Sequence, residues 1–330
     1  SQGLDMFTTA KHDFMESYKK YILDPRGLNY KMQFTGPGGT NAVETALKIA
    51  RLTTRRSHIA AFTNGYHGLT LGALAITSNA PYRNEAFVDR SNASFLPFDG
   101  YLGRDADTIA YIRKLLEDRS SGFDLPAAIV VETIQAEGGV NVAETDWLRG
   151  LEALCREFEI LLVVDDIQVG CGRTGTFFSF ERAGIHPDIV ILSKSISGYG
   201  LPMSVILMRP ELDRWKPGEE TATFRGHNLS FVTAAAALVY WESDGLARGI
   251  QSAGVHATHG DGVVASRRWG GLPRGVASPA LRREVRAQAA GVDPSRRDND
   301  EGTGRRVELT VAGVASDLKD GVADSESIGG

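Results

Sequence analysis

Three apolar runs in this chain are each closed by polar groups able to do chemistry. "AAIVVETI" delivers Glu132, "LLVVDDIQ" delivers Asp165, Asp166 and Gln168, and "DIVILSKS" delivers Lys194. In an open α/β sheet, ligands bind beyond the carboxyl ends of the strands, so these groups are expected to converge. An Asp after a strand is most often a loop cap. A Lys closing an apolar strand is rarer, because a buried ammonium is costly unless it is used. A desolvated Lys has a lowered pKa and can condense with a carbonyl group to a Schiff base.

An Asp that pairs with a pyridinium nitrogen is the complementary need of pyridoxal phosphate, which then serves as an electron sink. Its phosphate needs a cradle, and "TGPGGTNAVETALKIAR" offers one. Gly38 and Gly39 leave backbone N–H groups exposed. Thr40 or Asn41 is expected to cap a helix whose Val43, Ala46, Leu47 and Ala50 form an apolar stripe. A helix start after glycines attracts anions by geometry and by dipole. Many helices begin this way, so the signal gains weight only beside Lys194 and Asp165. Tyr66, in "NGYHG", is placed to stack on a flat ring or simply to pack.

A competing signal lies in "VVDDIQVGCGRTG", where Gly170, Gly172 and Gly175 spell the G-x-G-x-x-G of a dinucleotide-binding turn. That turn needs its third glycine to open an apolar helix, with an acid about 20 residues further on. Here "TFFSFERAGIHP" follows, and the acids precede the glycines. The nicotinamide reading is therefore weak.

The elements that must position these groups follow from four short apolar runs, "HIAAF", "AAIVV", "EILLVVDD" and "DIVILS". Runs without polar alternation suit strands buried on both faces of a mostly parallel sheet. Between two of them, Leu148, Leu151, Leu154 and Phe158 recur at helical spacing. This βαβ rhythm predicts a doubly wound α/β domain. No internal repeat is evident.

The 330 residues, a net charge of −5 and a 42% apolar fraction fit an ordinary soluble globular protein. No basic block points to nucleic acid, and no apolar run is long enough to span a bilayer. The beginning, "SQGLDMFTTAKHDF", lacks the order of a signal peptide. Two cysteines, Cys155 and Cys171, build no disulfide framework and suit a reducing cytoplasm. Cys155 reads as a buried helix residue. Cys171 lies in a Gly-rich loop with nothing nearby to make it a nucleophile.

After Ile250 the composition shifts: there is no Phe, Tyr or Met, the only lysine is Lys319 and the only isoleucine Ile328. Two readings fit, a polar tail or a change of reading frame, since the residues that remain have GC-rich codons. The expected division is an N-terminal segment over 1–32 belonging to a smaller domain, a large domain over 33–250, and an atypical segment over 251–330.

At these residues the chain resembles the class III aminotransferases, pyridoxal-phosphate enzymes of fold type I. The likeness runs from about Gly3 to Ile250. Within the class it is similar to the diaminobutyrate–2-oxoglutarate branch, through "GLDMFTTAKHDF", "PRGLNYKMQFTGPGGTNAVE", "YHGLTLGALAITSN", "SKSISGYGLPMS" and "FRGHNLSFVTAAAAL". The resemblance implies a mostly parallel central sheet flanked by helices, with an incomplete small domain. It also implies that Lys194 holds the cofactor covalently, Asp165 pairs with the pyridine nitrogen and Gln168 bonds the ring's phenolic oxygen. Gly39 and Thr40 would bind the phosphate, joined by Thr223 from a second subunit, which makes the site dimeric. Tyr66 would cover the ring. Glu137 matches an acid that in related enzymes shields a carboxylate-binding arginine.

Two departures stand out. Gly38 occupies a position usually filled by a hydroxyl residue, and loss of one such bond costs about 1 kcal/mol. The family's C-terminal domain carries its substrate-clamping arginine in an Arg-Gly-x-Gly setting that nothing after Ile250 matches. "LPRGVAS" is too short a likeness to give Arg274 that role. The N-terminal segment is also expected to begin late. The implied reaction exchanges nitrogen between L-2,4-diaminobutyrate and 2-oxoglutarate. Other ω-amines, such as ornithine or 4-aminobutyrate, stay open. So does a product of a damaged gene that keeps the fold but catalyses poorly.

Overall fold

Apolar runs with no polar alternation have to be covered on both sides, and the sheet is built that way. The protein is described by a computed structural model over residues 6–87, 92–198, 200–221 and 223–250. The expectation for the segment after Ile250 falls outside these residues. In chain order the strands are β1 (Lys31–Phe34), β2 (Ile59–Phe62), β3 (Ala93–Leu96), β4 (Ala128–Val131), β5 (Ile134–Gln135), β6 (Asn141–Val142), β7 (Leu161–Asp165), β8 (Ile189–Ser193) and β9 (Ser204–Met208). The main sheet has the order β1-β9-β8-β7-β4-β2-β3, while β5 and β6 pair separately. The strands from β3 across to β8 run parallel, with Val163 opposite Ile189 and Val130 opposite Val163. β9 and β1 close one side antiparallel.

The helices are α1 (Thr9–Tyr18), α2 (Gly39–Thr54), α3 (Leu71–Ala75), α4 (Thr108–Glu117), α5 (Thr145–Glu157) and α6 (Asn228–Leu238). Alternate residues of each central strand enter different cores, as a period of two requires. Leu162 and Val164 join one, with Leu148, Leu151 and Leu154 of α5. Leu161 and Val163 join the other, with Val43, Ala46, Leu47 and Ala50 of α2. Phe14 and Tyr18 of α1 sit in the first core, and Phe14 stacks on Phe231 of α6 at 5.6 Å. Burying one such Leu or Phe contributes roughly 1.5–3 kcal/mol. Among the described residues, no helix is long and apolar enough to cross a membrane.

Consecutive parallel strands are also tied by a buried charge. Asp188, fully buried before β8, accepts two bonds from Arg156 Nη1 at 2.7 Å and one from the Leu162 amide at 2.7 Å. Arg209 approaches the same carboxylate at 3.0 Å. Asp188→Ala removes the acceptor shared by two guanidinium groups and a β7 amide. We expect a loss of about 3 kcal/mol, read from the denaturant midpoint at unchanged slope. A loss within about 0.5 kcal/mol, the range of ordinary surface changes, contradicts this role.

Asp166, at the end of β7, is buried with Oδ2 accepting from the Ser179 amide at 3.0 Å, while Oδ1 has no partner among the described residues. Burial pushes its carboxyl up to about 7; the Ser179 bonds oppose that rise and the charge of Asp165 adds to it. The folded state then holds this proton more tightly than the unfolded chain. Its contribution is present at low pH and is lost as pH rises from the ordinary Asp value through about 7. Asp166→Asn cannot ionise, so its stability relative to the parent should improve between pH 5 and pH 8 (about one unit above and one beyond the two pKa values). An unchanged difference at the two pH values contradicts the assignment.

Candidate active site

The carboxyl ends of β4, β7 and β8 open onto a cavity of about 350 Å³. It is lined by Gly39, Thr40, Tyr66, Glu137, Asp165, Gln168 and Lys194, with His67, Glu132, Ile167 and Ser193 among the rest of its wall. The structure thus brings together seven of the eight residues to which the resemblance gives a role. The eighth, Thr223, is exposed and lies outside the cavity lining.

One end of the cavity is the start of α2. The helix begins at Gly39, and Gly38 is its N-cap with no side-chain bond, so neither Thr40 nor Asn41 caps it as expected. The Thr40 hydroxyl instead meets Thr70 Oγ1 at 2.7 Å and accepts from the Thr70 amide at 3.2 Å. Asn41 and Ala42 amides donate back to the Gly38 carbonyl. The Gly39 and Thr40 amides donate to no group among the described residues. Such first-turn amides, at the positive end of a helix, suit a phosphate. Gly39 is needed for closeness: a Cβ there would lie 2.9 Å from Ile167 Cδ1 and 3.4 Å from Ser193 Cβ. A side chain there would crowd the Ile167 methyl, which would have to give way.

The floor is acidic. Asp165 Oδ2 lies 2.7 Å from His67 Nδ1, both groups buried, and Asp165 Oδ1 accepts from the Ile167 amide at 3.2 Å. A carboxylate only accepts, so Nδ1 carries the proton. The His67 amide is held by Thr77 Oγ1 at 3.0 Å, which fixes the ring's entry. Burial resists charging His67, but the bond and charge of Asp165, with Glu132 behind, outweigh it and hold the pKa above the usual histidine value. Glu132 accepts from the Tyr66 amide at 2.9 Å. Burial pushes its carboxyl up to about 7; His67 pulls it down and Asp165 pushes it further up.

Lys194 starts a short 3-10 turn directly after β8, with φ of 53°, the left-handed region that non-glycine residues seldom occupy. Such a conformation costs on the order of 1 kcal/mol or more and persists where neighbours enforce it. Its Nζ donates to Gln168 Oε1. Sequence reasoning placed Lys194 in a desolvated position, yet in this chain it is exposed. It stands one residue past the buried strand, at the mouth of the cavity.

Tyr66 and Ile167 supply an aromatic and an apolar wall. Tyr66 packs edge-on to Tyr82 at 5.5 Å, and burial raises its pKa with help from Tyr82 and Glu137, keeping the phenol neutral. Glu137 follows β5, where Gln135 Nε2 donates to the Thr63 carbonyl at 2.7 Å and fixes the hairpin. Tyr82 Oη donates to Glu137 Oε1 at 3.4 Å.

His67 is the residue that sequence reasoning missed; its one signal was its place beside Tyr66 in the strand-following loop. The glycine motif makes no helix start: residues 167–178 form turns and bends, and the next element is a 3-10 turn at Ser179–Ala183. Cys155 is buried on α5, and burial pushes both thiols up, away from the thiolate form.

This constellation can be set beside known proteins. Residues 5–260 match the aminotransferase class-III family. The diaminobutyrate–2-oxoglutarate transaminase of Wolinella succinogenes is 63% identical over 239 residues, covering 72% of this chain and 56% of that protein. The transaminase of the same name from Halomonas elongata is 54% identical over 286 residues, covering 83% and 68%. Against the first of these, and against a Bordetella parapertussis relative covered to 58%, the chain spans less than two thirds of the full length. Among solved structures, the ornithine aminotransferase of Toxoplasma gondii superposes with a TM-score of 0.64 at 28% identity, covering 77% of this chain and 57% of that one. An amine transaminase from an uncultivated Pseudomonas species, in a PLP-bound form, gives 0.67 at 25% identity, covering 76% and 61%. The sheet is that of the fold type I transaminases, and the chain belongs to the class-III aminotransferase family.

Proposed function

We propose that this chain is the cofactor-binding part of a transaminase that uses pyridoxal phosphate. It would exchange nitrogen between L-2,4-diaminobutyrate, giving aspartate 4-semialdehyde, and 2-oxoglutarate, giving glutamate. The observation that carries this reading is one cavity holding Lys194, Asp165 and the free amides of α2 together. The relatives at 54–63% identity that bear this name favour diaminobutyrate over the ornithine or 4-aminobutyrate alternatives.

The residues fit the cofactor. Lys194 Nζ is the one primary amine in the cavity lining and would hold it covalently. Asp165, oriented by the His67 bond, would pair with the ring nitrogen, and Gln168 would hold the ring oxygen. Gly39 and Thr40 amides would take the phosphate. Tyr66 and Ile167 would cover the ring faces. When bound, the cofactor supplies an electron sink for the bond being broken at the substrate carbon. Lys194 Nζ, displaced by the incoming amine, would move the proton at that carbon. Glu137, which also lines the cavity, would be the acid that shields a carboxylate-binding arginine.

The same reading includes a homodimer, in which exposed Thr223 would reach the phosphate site of the partner subunit. It includes a cytoplasmic enzyme, supported by two free thiols, and a role in ectoine precursor supply, where the working direction is toward diaminobutyrate. The domain division at 33–250 belongs to it as well.

Lys194 is tested by trapping. Borohydride reduction of the chain loaded with pyridoxal phosphate should leave a label on Lys194, and Lys194→Ala should abolish it. A label on another lysine contradicts the assignment. Sedimentation of the loaded protein should show a dimer; a fully active monomer in dilute solution would sink the shared site.

A further inference from the structure

We propose that Arg173 receives the carboxylate of the amino or oxo acid substrate, in a second cavity that shares Lys194 with the first. The proposal rests on the transaminase reading and names a cation for the substrate carboxylate. The second cavity, about 600 Å³, is lined by Pro37, Arg173, Ser193, Lys194, Ser195 and Met203, among others. Ser193 and Lys194 line both cavities. A substrate whose amine reaches Lys194 can therefore extend toward either one.

Charge decides between them. The first cavity presents Glu132, Glu137 and Asp165, against Lys194 and His67, so a carboxylate that enters it meets acids. The second presents Arg173 beside Lys194. Arg173 Nη2 donates to Ser195 Oγ at 3.0 Å, which holds the guanidinium within one residue of Lys194. Arg26, Arg113, Arg149, Arg156 and Arg209 are all neutralised by carboxylates. Arg173 pairs with none among the described residues. Its remaining N–H donors form the planar fork that matches a carboxylate.

The loop that carries Arg173 is built to hold it. Cys171 and Gly172 both take positive φ, 55° and 97°, and reverse the chain just before the arginine. The turn is closed by the Gly172 amide on the Phe177 carbonyl at 3.3 Å and the Gly175 amide on Gly172 at 3.0 Å. It is seated so closely on Trp241 that a Cβ at Gly172 would lie 2.8 Å from the indole. The glycines that mimic a dinucleotide turn thus present a guanidinium beside Lys194.

The test uses the full chain with Arg173→Gln and Arg173→Lys. Glutarate, an unreactive dicarboxylate, is titrated by calorimetry. The loaded protein is then followed through one half-reaction with diaminobutyrate and with 1,3-diaminopropane, the same skeleton without its carboxylate. Arg173→Gln should weaken glutarate by about tenfold or more and slow diaminobutyrate by a similar factor, as expected for loss of a charge-assisted bond. Arg173→Lys should fall between. The diaminopropane rate, the label on Lys194 and the melting temperature should stay unchanged. Glutarate binding that is absent from the parent, or within about twofold of it in Arg173→Gln, overturns the proposal, since a working guanidinium contributes more than that. Equal losses for the two amines overturn it too. If no label forms on Lys194 in the parent, the transaminase reading fails, while the glutarate titration still decides Arg173.

Discussion

A sheet covered on both faces leaves its polar groups one place to work, which is the ends of its strands. The central strands spend their residues alternately on two cores, so no ionisable side chain can stand within them without a desolvation cost. Parallel strands then bring all their carboxyl ends to one edge. Glu132, Asp165 and Lys194 are neighbours for that reason, although tens of residues separate them in the chain. The start of α2 completes the edge, where a Cβ at Gly39 would crowd the Ile167 methyl.

The same burial sets the electrostatics. Asp165 is bonded to His67 at 2.7 Å, while burial pushes the carboxyl groups of Glu132 and Asp166 up to about 7. Raised carboxyl groups at Glu132 and Asp166 lessen the repulsion among three acids in one region, and Glu132 and Asp165 both line the cavity. Lys194 is placed outside this buried set, on a strained turn, where an incoming amine can reach it.

Much of this was legible in the residues. Fully buried strands announce themselves as apolar runs, so β2, β4, β7 and β8 could be read, and α5 followed from the spacing of Leu148, Leu151 and Leu154. The run in β9, Ser204–Met208, carried the same signal and was passed over. β1 and β3 are flank strands, only partly buried where β2 and β4 of the same length are fully buried, and their residues show no such run. Strand-end groups could be named because parallel topology gives their destination. His67 could not, since its inward turn depends on Thr77 and Asp165, contacts made at distances of 10 and 98 residues. The cap of α2 was misplaced because the Thr40 hydroxyl is drawn to Thr70, a tertiary contact. Nor did composition show that Lys194 would be exposed in a single chain.

The claim that this edge is a working transaminase site is tested most directly by absorbance. Purified chain is mixed with pyridoxal phosphate, then with L-2,4-diaminobutyrate, then with 2-oxoglutarate. The account predicts a visible band as the cofactor joins the protein, its bleaching by the amine, and its return with the oxo acid. A band that never forms, or one that diaminobutyrate leaves unchanged, contradicts it.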